Sequence, residues 1–184
     1  MKKETTLSVL KQIKINIDCI FELLQKQAIK PAEDTKEKYF KITDEAKLKT
    51  SEMLVEMKKS GIDFWTEWGN AIDVTFPIPK NQTTRYFSKH RETISVSNLN
   101  FGTLQKLNGM TLREYIIFFQ KYFKEFGRYP DEKGWTVFSD ALPSGFVADG
   151  GWRSGHRQVA FYWSSPCREY SLAGAREAII PDNF

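Results

Sequence analysis

The amino-acid sequence predicts an α+β protein in two parts. An N-terminal antiparallel helical hairpin is expected over 1–61, and a mainly antiparallel sheet with one packed helix over 62–184. Three observations predict this. Apolar side chains before Gly61 recur at spacings of three and four, which suits paired helices. Beyond Gly61 that period gives way to short alternating runs and then to a region rich in glycine and aromatic residues. One later segment, 111–126, returns to the helical period with a capping signal at its start.

Leu10, Ile13, Ile17, Ile20 and Leu24 form one stripe of a first helix over about 6–29, with Cys19 beside the seam. Lys30-Pro31-Ala32 interrupts it, because the residue before proline is pushed out of helical geometry. Tyr39, Ile42, Ala46, Met53 and Met57 continue as a second helical stretch, with Thr43-Asp44-Glu45 as the place where it would split. Lys58-Lys59-Ser60-Gly61 is its stop signal: cations in the last turn and glycine just past it. Two narrow stripes packed together leave apolar surface over, so self-association or a protein partner is expected through these helices.

Ile72 to Phe76 and Thr93 to Ser97 alternate apolar and polar residues and read as strands, the first confined to an edge by Pro77 and Pro79. Asn81-Gln82-Thr83-Thr84 reads as an exposed connection. Thr111 and Glu114 have capping-box spacing, and Tyr115, Phe118, Phe119, Tyr122, Phe123 and Phe126 follow on one helix that ends at Gly127. Such a stripe belongs against a sheet. Leu142-Pro143-Ser144-Gly145 and Asp149-Gly150-Gly151 read as tight turns between short strands.

Composition limits the function classes. With 184 residues, 41% of them apolar, the chain can bury a core without disulfides or metals, and its two cysteines, Cys19 and Cys167, suggest no disulfide framework. No apolar run reaches the length of a membrane span and the charged start does not read as a signal peptide, so a cytoplasmic or particle-associated protein is expected. The net charge is +4, and all fourteen basic residues up to Lys80 are lysines. After Lys133 they are all arginines: Arg153, Arg157, Arg168 and Arg176. Lysine suits a hydrated surface and arginine suits rings and forked hydrogen bonds, so the switch marks a change of domain.

Catalytic and cofactor signatures are sparse. His90 and His156 are the only histidines and lie at no metal-ligand spacing from a cysteine or from each other. Cys167 and His156 as a thiol and its base rest on residue type alone. Gly150-Gly151-Trp152-Arg153-Ser154-Gly155 contains no lysine followed by Ser or Thr, as a phosphate loop would, and no cofactor is expected. Nucleic-acid binding has two supports. One is the cluster Arg85, Lys89, His90 and Arg91 interleaved with Tyr86 and Phe87; the other is Phe126-Gly127-Arg128-Tyr129-Pro130, which looks like a segment of helix-turn-helix repeats associated with homing endonucleases.

A longer match lies at Phe138-Ser139-Asp140-Ala141-Leu142-Pro143-Ser144-Gly145-Phe146, then Gly150-Gly151, then Phe161-Tyr162-Trp163-Ser164-Ser165. These residues resemble the core of the Fibrobacter succinogenes major paralogous domain family, with its Phe-Ser-Ala-Leu-Pro-x-Gly-Tyr segment, glycine turn and Tyr-Trp-Trp-Ser-Ser segment. The resemblance implies a C-type-lectin-like fold and a bacterial surface or secreted setting. It covers about thirty residues. The family's upstream Trp-Arg-Leu-Pro segment is missing, and its closing Arg-Cys-Val has no counterpart at Ala175 to Ile180.

Read from the residues alone, Trp152, Arg153, His156 and Arg157 occupy a polar loop between apolar runs, a favoured place for binding groups. Tyr162, Trp163 and Arg168 complete the candidate set, since Trp, Tyr and Arg dominate protein-binding hot spots. The competing structural role has Arg153 and Arg157 stacking on Trp152, Trp163 or Tyr170 within the domain. The expected function is a non-enzymatic binding or assembly module, a component of a bacterial or viral particle, that contacts protein or glycan. The alternative is a nucleic-acid-binding regulator or inhibitor.

Overall fold

The computed structural model describes residues 38–89 and 100–179. The chain divides after Glu37, and all described residues belong to the unit Lys38–Phe184. The first expected helix with Cys19, the strand expected at 93–97, and His90 and Arg91 lie outside the described residues.

The second half of the expected hairpin is overturned. Tyr39–Asp44 is strand β1 and Thr50–Lys59 is helix α1. Phe40, Ile42 and Asp44 alternate inward along β1, a period of two that the spacing of Tyr39, Ile42 and Ala46 concealed. The chain then turns because the Asp44 carboxylate accepts the Ala46 N–H at 3.0 Å, with Ala46 at φ 54°. Helix α1 buries Met53, Leu54 and Met57, and Gly61, at φ 84°, follows its end.

Strand β2 is Phe64–Thr66. A single 3₁₀ turn, Gly69–Ala71, leads into α2, Ile72–Thr75, where the sequence predicts a strand. Burial shows why the helix wins. A strand would put Ile72, Val74 and Phe76 on one face, yet Ile72 and Phe76 are buried while Val74 is 85% exposed, as one helical turn requires. Asp73 also caps α1 from outside, accepting from the Ser51 N–H at 2.8 Å and the Ser51 hydroxyl at 2.6 Å. Those bonds, hydroxyl first, hold the Asp73 carboxyl below its ordinary pKa.

Strand β3, Thr83–Ser88, takes in part of the expected connection and pairs antiparallel with β1. Helix α3 is Phe101–Gln105 and α4 is Leu112–Phe126. In α4 the Thr111 hydroxyl accepts the Glu114 N–H while the Glu114 side chain accepts the Thr111 N–H, and Gly127 closes the helix at φ 63°. Strands β4, Trp135–Ala141, β5, Val147–Arg153, and β6, Gln158–Ser164, run antiparallel in succession, and β7 is Ala173–Gly174.

The larger sheet has the order β2-β6-β5-β4-β7. It is mixed where a mainly antiparallel sheet was expected, because β2 runs parallel to β6 and β7 parallel to β4. Leu142 to Gly145 is the expected turn, with the Gly145 N–H donating to the Leu142 carbonyl and Gly145 at φ 74°. Asp149-Gly150-Gly151 is the middle of β5 and not a turn. Its glycines serve close packing: a Cβ on Gly150 would stand 2.8 Å from the Phe161 ring, and one on Gly151 2.6 Å from the Gly134 carbonyl oxygen.

Helix α4 packs Tyr115, Phe118 and Phe119 into the core with Phe138 and Phe161 of the large sheet, and Phe118 also meets Phe40 of β1 edge to face at 5.5 Å. Two buried ion pairs tie the elements together. Arg113 of α4 donates to both Asp44 oxygens, at 2.6 and 2.9 Å, and to Thr50 Oγ1 at the start of α1. Arg176 donates to Asp131, whose other oxygen accepts from the Tyr115 and Thr136 hydroxyls.

Candidate functional site

Alternation along the strands divides the candidate residues between two faces. On β5, Val147, Asp149, Gly151 and Arg153 share the face turned away from α4, opposite Ser164, Tyr162, Ala160 and Gln158 of β6. Helix α3 covers half of this outer face, packing Phe101 and Leu104 on Val137 and Val147. The other half carries rings. Trp65 of β2 stands in register with Ala160, and its ring lies 5.0 Å from that of Tyr162. From the opposite side the Trp135 ring reaches within 5.4 Å of Tyr162.

Small residues make this row possible. Ala160 and Gly151 are buried between the long side chains, and the Trp135 ring lies against Gly151, 3.2 Å from where a Cβ would stand. Arg153 and Tyr162 lean together over them, Arg153 Nη1 donating to the Tyr162 hydroxyl at 2.7 Å. That bond uses an acceptor position of the hydroxyl and one of five guanidinium N–H groups. The Tyr162 proton and a forked set of Arg153 donors therefore remain for a ligand, beside Trp65, which is 40% exposed.

Beneath the row sits a buried acid. Asp149 lies between Val137 and Tyr162 in the sheet register, and its Oδ2 has no hydrogen-bond partner among the described residues. Burial pushes its pKa up to about 7, against the opposing Ser164 hydrogen bond and Arg168 charge, with Glu67 adding to the rise. Asp140, near the start of α4, is pushed up to about 6, by burial first and by the Glu114 charge, although it accepts the Leu112 N–H at 2.6 Å.

The structure brings together Arg153 and Tyr162 from the seven residues singled out in the sequence. Arg168 shares their face but is engaged elsewhere, donating to the Ser164 hydroxyl and lying over the Phe101 ring at 5.4 Å. Trp152 is on the opposite face, stacked on Tyr129 at 3.5 Å, and Trp163 also points there, edge to face with Phe146 at 4.5 Å. His156 and Arg157 are exposed on the turn between β5 and β6. Arg153 does not take the stacking role on Trp152, Trp163 or Tyr170; its partner is Tyr162. Sequence reasoning missed Trp65 and Trp135, which reach the site from β2 and β4.

Other expectations separate in space. His156 precedes β6 and Cys167 follows it, so the seven-residue strand holds them about 20 Å apart. The two described cations of the basic cluster are engaged internally: Arg85 donates to Glu114, Asn108 and the Gly109 carbonyl, and Lys89 pairs with Glu125 at 2.6 Å. Among the described residues no group of three or more His, Cys, Asp or Glu side chains is placed to hold a metal, and no helix is long and apolar enough to cross a membrane. The residues resembling the Fibrobacter succinogenes major paralogous domain fall on the β4-β5-β6 meander. No family model, curated protein or solved structure matches the chain, so the C-type-lectin-like expectation gains no support there.

Proposed function

We propose that this protein is a non-enzymatic binding module that recognises a protein segment on the open half of the outer sheet face. One observation carries the reading: Trp65, Tyr162 and Trp135 form a continuous row, with Arg153 anchored on Tyr162 and its remaining donors directed at no other described group. Rings provide contact area at little entropic cost, and a guanidinium held in place by one hydrogen bond loses less freedom on binding. A peptide offering an apolar side chain to the rings and a carboxylate or backbone carbonyl to Arg153 fits this chemistry.

Ring geometry favours protein over glycan. The Trp65 and Trp135 planes are inclined to Tyr162 by 45° and 74°, which makes an angular surface rather than a flat platform for a sugar ring. A role in assembling a bacterial or viral particle is consistent with such a surface, and it belongs to the same proposal. Peptide-display selection and a glycan array, each run with the wild-type chain and with the Trp65→Ala and Arg153→Ala variants, test the reading. Selected peptides should bind the wild type and lose about tenfold or more to either variant, the size expected for removal of a hot-spot side chain. Selection of glycans alone, or of peptides indifferent to both substitutions, would overturn it.

A further inference from the structure

A second concavity, independent of the outer sheet face, lies between the β1-α1 corner and α4. It is a groove of about 850 Å³. Its apolar lining comes from Leu48, Met53, Ile62, Ile117 and Phe123. Along α4, Arg113, Ile117, Gln120, Lys121 and Lys124 follow one another at spacings that place them on one side of the helix. This stripe is separate from the one that carries Tyr115, Phe118 and Phe119 into the core.

Charges in the groove do not cancel locally. Its three carboxylates are engaged: Asp44 by Arg113, Glu45 by Lys47 at 2.7 Å, and Glu56 by Lys59 at 2.7 Å. Lys121 and Lys124 have no carboxylate partner among the described residues. Lys121 Nζ donates instead to a neutral acceptor, the Lys41 main-chain oxygen, at 2.7 Å. Partial desolvation of the ammonium, with the nearby charge of Lys41, holds the Lys121 pKa below its ordinary value, as expected of an ammonium with no counter-charge.

We propose that this groove binds a free single-chain amphiphile whose apolar body lies on Met53, Ile62, Ile117 and Phe123 and whose anionic head pairs with Lys121 and Lys124. Its volume falls in the range of small-molecule sites, roughly 300–1,000 Å³, and an apolar lining with a few placed charges is their usual composition. An anionic head supplies the missing counter-charge, whereas a cationic head would add to the repulsion. The carboxylate of a fatty acid is the simplest head group of this class.

Titrating the full chain with sodium decanoate, and separately with decyltrimethylammonium, tests both halves of the proposal by NMR of the methionine and isoleucine methyl groups. Decanoate should shift the Met53 and Ile117 methyls saturably, with decyltrimethylammonium at least tenfold weaker. A Lys121→Gln/Lys124→Gln double variant should bind decanoate at least tenfold more weakly with an unchanged far-UV spectrum; both side chains are exposed, so the fold is expected to tolerate the change. No saturable shift, equal affinity for the two head groups, or a double variant that binds like the wild type would overturn it. The head-group comparison needs no variant, and neither result bears on the outer sheet face.

Discussion

At Gly151 an added Cβ would stand 2.6 Å from the Gly134 carbonyl oxygen and 3.2 Å from the Trp135 ring. A methyl group there cannot be relieved by rotating a side chain, because the nearest atom belongs to the main chain. Gly151→Ala should therefore cost on the order of 1–3 kcal/mol and displace Trp135, read by urea unfolding together with the tryptophan emission maximum. Asp149 sets a pH dependence of the opposite sense to an ion-paired carboxylate such as Asp44. Its folded pKa of about 7 lies above the ordinary 3.8, so the folded state holds the proton more tightly between those values. Its contribution to stability is present at low pH and is lost as pH rises from about 4 to about 7. Asp149→Asn should flatten that slope and stabilise the protein at pH 8 relative to wild type, measured by urea unfolding at pH 5 and pH 8. Arg153 and Tyr162 were legible as candidates because side-chain type alone marks them. Trp65 and Trp135 were not, since nothing in a single sequence reveals that a strand far upstream will lie parallel to β6 or that the first residue of β4 will lay its ring across Gly151 toward Tyr162.

Among the elements, α4 was the most legible: local signals, a capping box at Thr111 and Glu114 and a glycine stop, agree with its long-range role of placing aromatic rings between two sheets. Strand β1 was the least legible. Its six residues satisfy a helical spacing by chance, and what decides the outcome is distant, namely pairing with β3 and the Arg113 pair with Asp44. Burial tends to raise the Asp44 pKa, but the Arg113 and Ala46 hydrogen bonds and the Arg113 charge together hold it below the ordinary value. The stabilisation it gives is present at neutral pH and is lost as pH falls through that lowered pKa. Asp44→Ala strands the Arg113 charge and should cost about 3–5 kcal/mol in urea unfolding at pH 7. Glycine misled the reading of β5 for a related reason: a turn residue and a close-packing residue are the same letter, and only the Phe138 and Phe161 rings tell them apart.

For the whole molecule, the division after Glu37 replaces the expected helical hairpin with a domain that needs β1 and α1 for its core. Removal of residues 1–60 takes away Phe40, Ile42, Met53, Leu54 and Met57, all buried, and should abolish cooperative unfolding, whereas a chain starting at Lys38 should retain it in circular dichroism melts. Four of the five tryptophans stand on the large sheet, Trp65 and Trp135 on its outer face and Trp152 and Trp163 on the other, so the proposed recognition surface is directly observable. The decisive measurement is a titration of the ¹⁵N-labelled chain with a peptide selected by display, following the indole N–H resonances. Trp65 and Trp135 should shift together and saturate while Trp152 and Trp163 stay in place. Shifts confined to Trp152 or Trp163, or a bound peptide that leaves Trp65 and Trp135 unmoved, would contradict recognition by the outer face.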